Sequence, residues 1–164
     1  MSVLNILFVG SDEVARSIAK KSDSRDVDNY IYKDLKEGGL FSTISILRPN
    51  NYPDKPKPFF TSLTVSDFGI IEINKVDGVF GEVIVSMASA GIKEGLVILN
   101  ASEGEWVDDS QVKALLQQAG LSNWEFIEND GILIREKLIE VLNQIKPNED
   151  EGFVVAVDQA FTVK

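Results

Sequence analysis

The 164-residue chain contains neither cysteine nor histidine. Without cysteine there are no disulfides, thiol nucleophiles or thiolate metal sites, and without histidine the commonest general base and the commonest metal ligand are both missing. Long hydrophobic runs are also lacking. None approaches the ~20 residues of a spanning helix, and the opening MSVLN leads directly into a strand pattern instead of a signal peptide. The expectation is a cytoplasmic protein with no membrane segment. Positive charge is in deficit, with 16 basic against 26 acidic residues and a net charge of −10. Such a surface repels nucleic-acid phosphates, makes direct nucleic-acid binding unfavourable and suits protein partners better. The bases Arg16, Lys20, Lys21 and Arg25, then Lys33 and Lys36, form either a small positive patch or a solvated helix face and loop.

What is present is a globular composition, 44% hydrophobic and 26% charged, sufficient for one domain with a buried core. Apolar runs of strand character recur at 4–9, 30–32, 41–47, 68–73, 96–99, 124–127 and 153–157. Segments with helical spacing lie between most of them, at 13–20, 79–91, 110–119 and 132–145. The runs ILFV (6–9) and LVIL (96–99) lack in/out alternation, as central parallel strands covered on both faces do. The pattern predicts an α/β fold: an open, mostly parallel sheet with helices on both faces. Gly91 and Gly120 follow periodic segments and suit a left-handed helix end, while Asp109 or Ser110 suits a helix start. Four prolines within 49–58 predict an ordered loop or a late-starting helix. The stretch PNEDEG (147–152) reads as a polar linker before a final strand.

The first strand-to-helix turn, GSDEVARS (10–17), occupies the usual phosphate site of an open α/β sheet. A working loop of the form Gly, four residues, Gly, Lys, Ser/Thr needs a second glycine for close backbone approach. It also needs a lysine for the β and γ phosphates and a hydroxyl for Mg²⁺. Here Gly10 and Ser17 keep the interval, but Ala15 and Arg16 stand where the glycine and lysine belong. Ser11, Asp12 and Glu13 fill the loop between. A carboxylate about 5 Å from a phosphate charge costs about 3 kcal/mol at an effective dielectric near 20, so Asp12 and Glu13 oppose a nucleotide. The same acids suit a helix start, where Asp12 caps free amides and pairs with Arg16 four residues on. One expectation is therefore an internal carboxylate in the anion site with Arg16 as its partner; the other is an ordinary capped helix start that never held phosphate.

Four segments taken together resemble the GTPase domain of translation elongation factors, especially the SelB-like branch related to EF-Tu. GSDEVARS is similar to the phosphate loop, RPNNYPD (48–54) to the Asp-x-x-Gly-His switch segment, and LTVSDFGII (63–71) to the entry of a central strand. VDQAFTVK (157–164) is similar to the opening strand of the β-barrel that follows the GTPase domain, and VDGVFGE (76–82) fits the same family. The resemblance implies a P-loop GTPase-like domain over 1–147, a linker at 148–152 and the start of a truncated elongation-factor β-barrel at 153–164, from either a fragment or a shortened natural form.

On that alignment the departures fall at the chemically essential places. The Mg²⁺-linked switch aspartate corresponds to Arg48, the γ-phosphate-binding glycine to Asn51 and the water-orienting histidine to Tyr52, a poor base at neutral pH. The guanine-reading Asn-Lys-x-Asp corresponds to Asn100, Ala101, Ser102 and Glu103, in which the base-covering lysine is lost and the carboxylate is one methylene too long. A strand-to-loop turn is the simpler reading of those four residues, and Asn129-Asp130-Gly131 stands either for the family's last base-contacting loop or, more simply, for a capping turn before Ile132. No switch threonine can be placed between 22 and 39. The resemblance implies a SelB-like pseudo-GTPase with no catalytic residue, no metal and no cofactor. It would act as an interaction module for protein partners in translation, including further domains of its own, with 52–60 as a candidate contact segment. The alternative is a divergent elongation factor that still binds GTP or GDP with Mg²⁺ through backbone amides and Ser17. A receiver-like domain lacks its phosphorylatable aspartate at 99–101.

Overall fold

The computed structural model describes residues 2–35, 41–101 and 106–144. In chain order the elements are β1 (Ser2–Val9), α1 (Asp12–Ile18), β2 (Lys20–Ser24), β3 (Val27–Leu35), β4 (Phe41–Pro49) and α2 (Pro56–Thr64). They continue with β5 (Phe68–Ile73), α3 (Gly78–Ser89), β6 (Gly95–Leu99), α4 (Asp109–Gln118), β7 (Glu125–Ile127) and α5 (Gly131–Gln144). The strands form one seven-stranded sheet in the order β2-β3-β4-β1-β5-β6-β7. Pairing is parallel from β4 through β1, β5 and β6 to β7, and antiparallel for β2–β3 and β3–β4. This is the α/β architecture expected from the alternating strand and helix patterns.

Strand periodicity distributes the core to two faces. Leu4, Ile6 and Phe8 of β1, Ile70 of β5 and Leu96 and Ile98 of β6 pack with Val14, Ala15 and Ile18 of α1 and Ile134, Leu138 and Leu142 of α5. Leu7, Ile71, Ile73 and Val97 face the other way, against Phe59 of α2, Phe80, Val83, Ile84 and Met87 of α3, and Val112 and Leu116 of α4. Both faces of β1, β5 and β6 are thus covered, which is why their sequences are apolar without alternation. Trp124, just before β7, lies over Gly69 and Gly95; a Cβ on Gly95 would stand 2.6 Å from the indole Cε2.

Several local expectations need correction. Lys20 and Lys21 lie neither on a helix face nor in a loop, since Lys20–Ser24 is a strand at the sheet edge, while Arg25 sits in the bend that follows it. The helix predicted over 13–20 ends at Ile18 because Ala19 is already extended, with φ −145° and ψ 161°. Asp108 caps α4, not Asp109 or Ser110, its carboxylate accepting from the Ser110 N–H at 2.9 Å. The proline-rich stretch does start a helix late, with Pro56 in its first turn, where a missing N–H is harmless. Gly91 and Gly120 take φ of +84° and +86° at helix ends, as expected. Within 52–60, Phe59 is fully buried and Phe60 is exposed. The linker at 148–152, the strand at 153–164, residues 145–147, Lys36, Ser102 and Glu103 lie outside the described residues. Among the described residues no helix is long and apolar enough to cross a membrane.

Candidate functional site

The carboxyl ends of β1, β4 and β5 meet at the turn that carries Gly10. Ser11, not Asp12, is the N-cap of α1: its hydroxyl accepts from the Val14 N–H at 3.3 Å, and its carbonyl accepts from the Ala15 N–H at 3.3 Å. The helix therefore begins at Asp12, and the residues that a phosphate loop would hold open are already wound into a turn. Ala15 is fully buried against the sheet. The Ser17 hydroxyl is engaged with its own helix, donating to the Val14 carbonyl at 2.7 Å.

An internal carboxylate does sit at this turn, but it belongs to Glu72, near the end of β5. Glu72 Oε2 accepts from the Ser11 N–H at 2.6 Å, and Oε1 accepts from Asn100 Nδ2 at 2.7 Å. The side chain is 9% exposed, and two charge-assisted hydrogen bonds offset the desolvation of so buried an anion. Gly10 is required beside it, since a Cβ there would lie 2.6 Å from Glu72 Oε2. Asn100 is fixed in turn by its backbone N–H, which donates to the Ile73 carbonyl at 3.0 Å. One carboxylate thereby ties the ends of β1, β5 and β6 together.

Asp12 is committed elsewhere. It accepts from Tyr30 Oη at 2.5 Å, Arg16 Nε at 2.5 Å and Lys21 Nζ at 3.0 Å. These hydrogen bonds, Tyr30's foremost, hold its carboxyl well below the usual range. The expected pairing of Arg16 with Asp12 is present, but the Ser11 amide at the head of the turn is taken by Glu72 and not by Asp12. Behind Asp12 lies the buried Asp28, reached by Lys21 Nζ at 2.8 Å, Arg48 Nη1 at 3.2 Å and Ser24 Oγ at 2.7 Å. Burial alone would raise the Asp28 carboxyl; hydrogen bonds from Lys21, Ser24 and Asn50 outweigh it and bring the value down to about 2. Burial and then the Asp12 hydrogen bond push the Tyr30 phenol well above its ordinary value.

The switch-like residues follow. Arg48 ends β4 with Nε donating to the Gly10 carbonyl at 2.7 Å and Nη1 to Asn50 Oδ1 at 2.7 Å, so a cation cross-braces the loop. Asn51 adopts φ +59°, a left-handed conformation that asparagine tolerates better than most residues with a side chain. Tyr52 stacks on Phe59, with ring centroids 4.3 Å apart. Its hydroxyl makes no hydrogen bond among the described residues, and burial with the nearby Glu82 charge pushes it up to about 12. Asp130 caps α5, accepting from the Ile132 and Leu133 N–H groups at 2.8 and 3.2 Å, which is the capping-turn reading of 129–131. Glu13 is exposed.

The structure thus brings Gly10, Ser11 and Asn100 around Glu72, groups Asp12 and Arg16 in a second network that Arg48 borders, and leaves Glu13 and Tyr52 apart from both. Glu72 and Asp28 were missed in the sequence. For Glu72 the signal was a lone acid inside a strand, FGIIEI, where burial is expensive unless the charge is bonded.

No protein-family model matches the chain. An uncharacterized protein of Methanocaldococcus jannaschii is 29% identical to the chain over 159 residues, 96% of this chain and 48% of that protein. The chain therefore spans about half the length of this relative. Among solved structures, a bacterial selenocysteine-specific elongation factor EF-Sec matches with a TM-score of 0.62 and 14% identity over 90% of this chain and 30% of that one. The elongation factor SelB of Methanococcus maripaludis, in complex with the GTP analogue GppNHp, matches with a TM-score of 0.63 and 13% identity over 89% and 35%. The chain therefore shares its fold with these elongation-factor structures.

Proposed function

We propose that this chain is a degenerate GTPase domain of the SelB-like elongation-factor kind, one that has given up GTP binding and hydrolysis and serves translation as an interaction module. The observation that carries this reading is the Glu72 carboxylate held on the Ser11 amide, at the anion position of the first strand-to-helix turn. A nucleotide phosphate brought there would meet a fixed negative charge, and each such encounter at about 5 Å costs about 3 kcal/mol at an effective dielectric near 20. The residues present do not fit a Mg²⁺-nucleotide. The Ser11, Val14 and Ala15 amides are already bonded, to Glu72 Oε2, Ser11 Oγ and the Ser11 carbonyl, Ser17 Oγ is bonded to a carbonyl, and on the family resemblance Arg48 brings a guanidinium in place of the metal-linked carboxylate.

With no ligand able to favour one conformation over another, the domain has no nucleotide-driven switch. Binding specificity then resides in its fixed surface, with partners among protein components of translation, further domains of the same molecule included, and no direct nucleic-acid contact. Location in the cytoplasm belongs to this reading. The alternative, a divergent elongation factor that still holds GTP or GDP with Mg²⁺, draws on the surviving interval from Gly10 to Ser17 and on Asn100.

Isothermal titration calorimetry with GTP, GDP and ATP, each with and without Mg²⁺, separates the two. The expected result is no saturable heat at micromolar nucleotide. A micromolar isotherm for GTP, dependent on Mg²⁺, would overturn the reading and select the alternative.

A further inference from the structure

Beyond Lys20, β2 stops accompanying β3. The register pairs Lys20 with Ile31, so β3 continues through Tyr32 to Leu35 bonded to β4 on one side and, among the described residues, to no strand on the other. A groove of about 470 Å³ runs along this bare edge. Its walls carry Arg16, Lys20, Lys21, Tyr32, Lys33 and Arg135, and no carboxylate is among its lining residues. In a chain of net charge −10, five cations on one rim are a concentration of the opposite sign.

These cations are not equally committed. Arg16 and Lys21 are partly neutralised by Asp12 and Asp28. Lys20 and Lys33 are exposed and form no ion pair among the described residues. Arg135 is held in place with no carboxylate partner among the described residues: Nε donates to the Ile18 carbonyl at 2.7 Å, one Nη to the Ser17 carbonyl at 3.1 Å, and the guanidinium lies 4.8 Å from the Tyr32 ring centroid. Its charge is balanced by carbonyl dipoles at the end of α1 and by a ring face, which leaves it able to attract an anion from a fixed position.

We propose that the outer edge of β3 over 32–35 is a docking strand for an acidic, extended segment of a partner protein. The segment would add to the sheet in line with β2 and place its carboxylates on Lys20, Lys33 and Arg135. Main-chain hydrogen bonds to an open edge supply affinity in this mode, and side-chain charges supply register and selectivity. A carboxylate-bearing strand suits the site better than RNA for two reasons. The ring that could stack a base, Tyr32, already carries the Arg135 guanidinium, and the remaining surface is acidic enough to repel a long polyanion beyond the ~8 Å reach of the local cations in physiological salt. The lysines that keep this edge from pairing with the same lysine-bearing edge of a second copy also mark the complementary charge it accepts. The inference stands whether or not the β1–α1 turn binds nucleotide, so the two can fail separately.

The test is fluorescence anisotropy of the full chain with a labelled peptide of alternating glutamate and leucine. The same peptide N-methylated at alternate backbone amides and a single-stranded RNA oligonucleotide serve as comparators. The expected results are saturable peptide binding that weakens with salt, a loss of about tenfold for K20E with K33E, a comparable loss on N-methylation, and no loss for K57E with K93E, which reverses two exposed charges elsewhere. Circular dichroism confirms that each variant is folded. Tighter binding of the RNA, equal binding of the N-methylated peptide, or indifference to the K20E and K33E reversal would each overturn the proposal.

Discussion

Asp28 is the residue whose surroundings make the sharpest demand. Almost fully enclosed, it is reached by Lys21, Arg48 and Ser24, and it stays ionised only because those donors replace water. Its carboxyl falls from an ordinary 3.8 to about 2 in the folded chain. A depressed folded value means that its contribution is complete above pH ~4 and is lost as pH falls through the folded value. At about 1.4 kcal/mol per unit, that is about 2 kcal/mol between pH 4 and 2. Urea denaturation at pH 7 and pH 2.5 should show this loss in the wild type. The Asp28→Asn variant should be less stable by about 2 kcal/mol at pH 7, with a flatter profile between the two; an unchanged acid slope would remove Asp28 from its cause.

Among the elements, the contact of β5 and β6 with the Trp124 indole is the most tightly specified. The ring occupies the space of two missing side chains, Gly69 and Gly95. Gly95→Ala should therefore destabilise the domain by about 1–3 kcal/mol through overpacking. The check is a lower urea midpoint with unchanged slope. The central elements were readable in advance because ILFV, FGIIEI and LVIL, with the 3.6-residue periods of α3, α4 and α5, carry their burial in their side chains. The edge strand β2 was not readable, since KKSDS buries almost nothing and is a strand through its pairing with β3 alone. The candidate site was legible as a position, GSDEVARS, but not as an arrangement. Asp12 looked like the cap and the resident anion, whereas its bonds to Tyr30 and Lys21 come from a strand 18 residues away in sequence and from the unread strand β2. The acid that does sit at the turn lies 61 residues from Ser11, and no local pattern reports a partner at that distance.

At the scale of the whole molecule, two cores on either side of one sheet converge on a single corner where β1, β4, β5 and β6 end. Among the described residues its charged groups bond to one another and to the chain: Glu72 to Ser11 and Asn100, Asp12 to Arg16, Lys21 and Tyr30, Arg48 to Gly10, Asn50 and Asp28. The proposed docking edge lies at its periphery, along β3 and the cations around it.

On the proposed reading, the Glu72 tether also orders the routes by which this sequence could evolve toward nucleotide. A15G and R16K would act on a loop still plugged by an anion, so the pair alone should leave nucleotide affinity undetectable. E72A should be the permissive step, and any gain from A15G with R16K should appear only in its background, a sign of epistasis measurable by calorimetry across the double-mutant cycle. Equal gains with and without Glu72 would mean that the strand-borne acid does not gate this history.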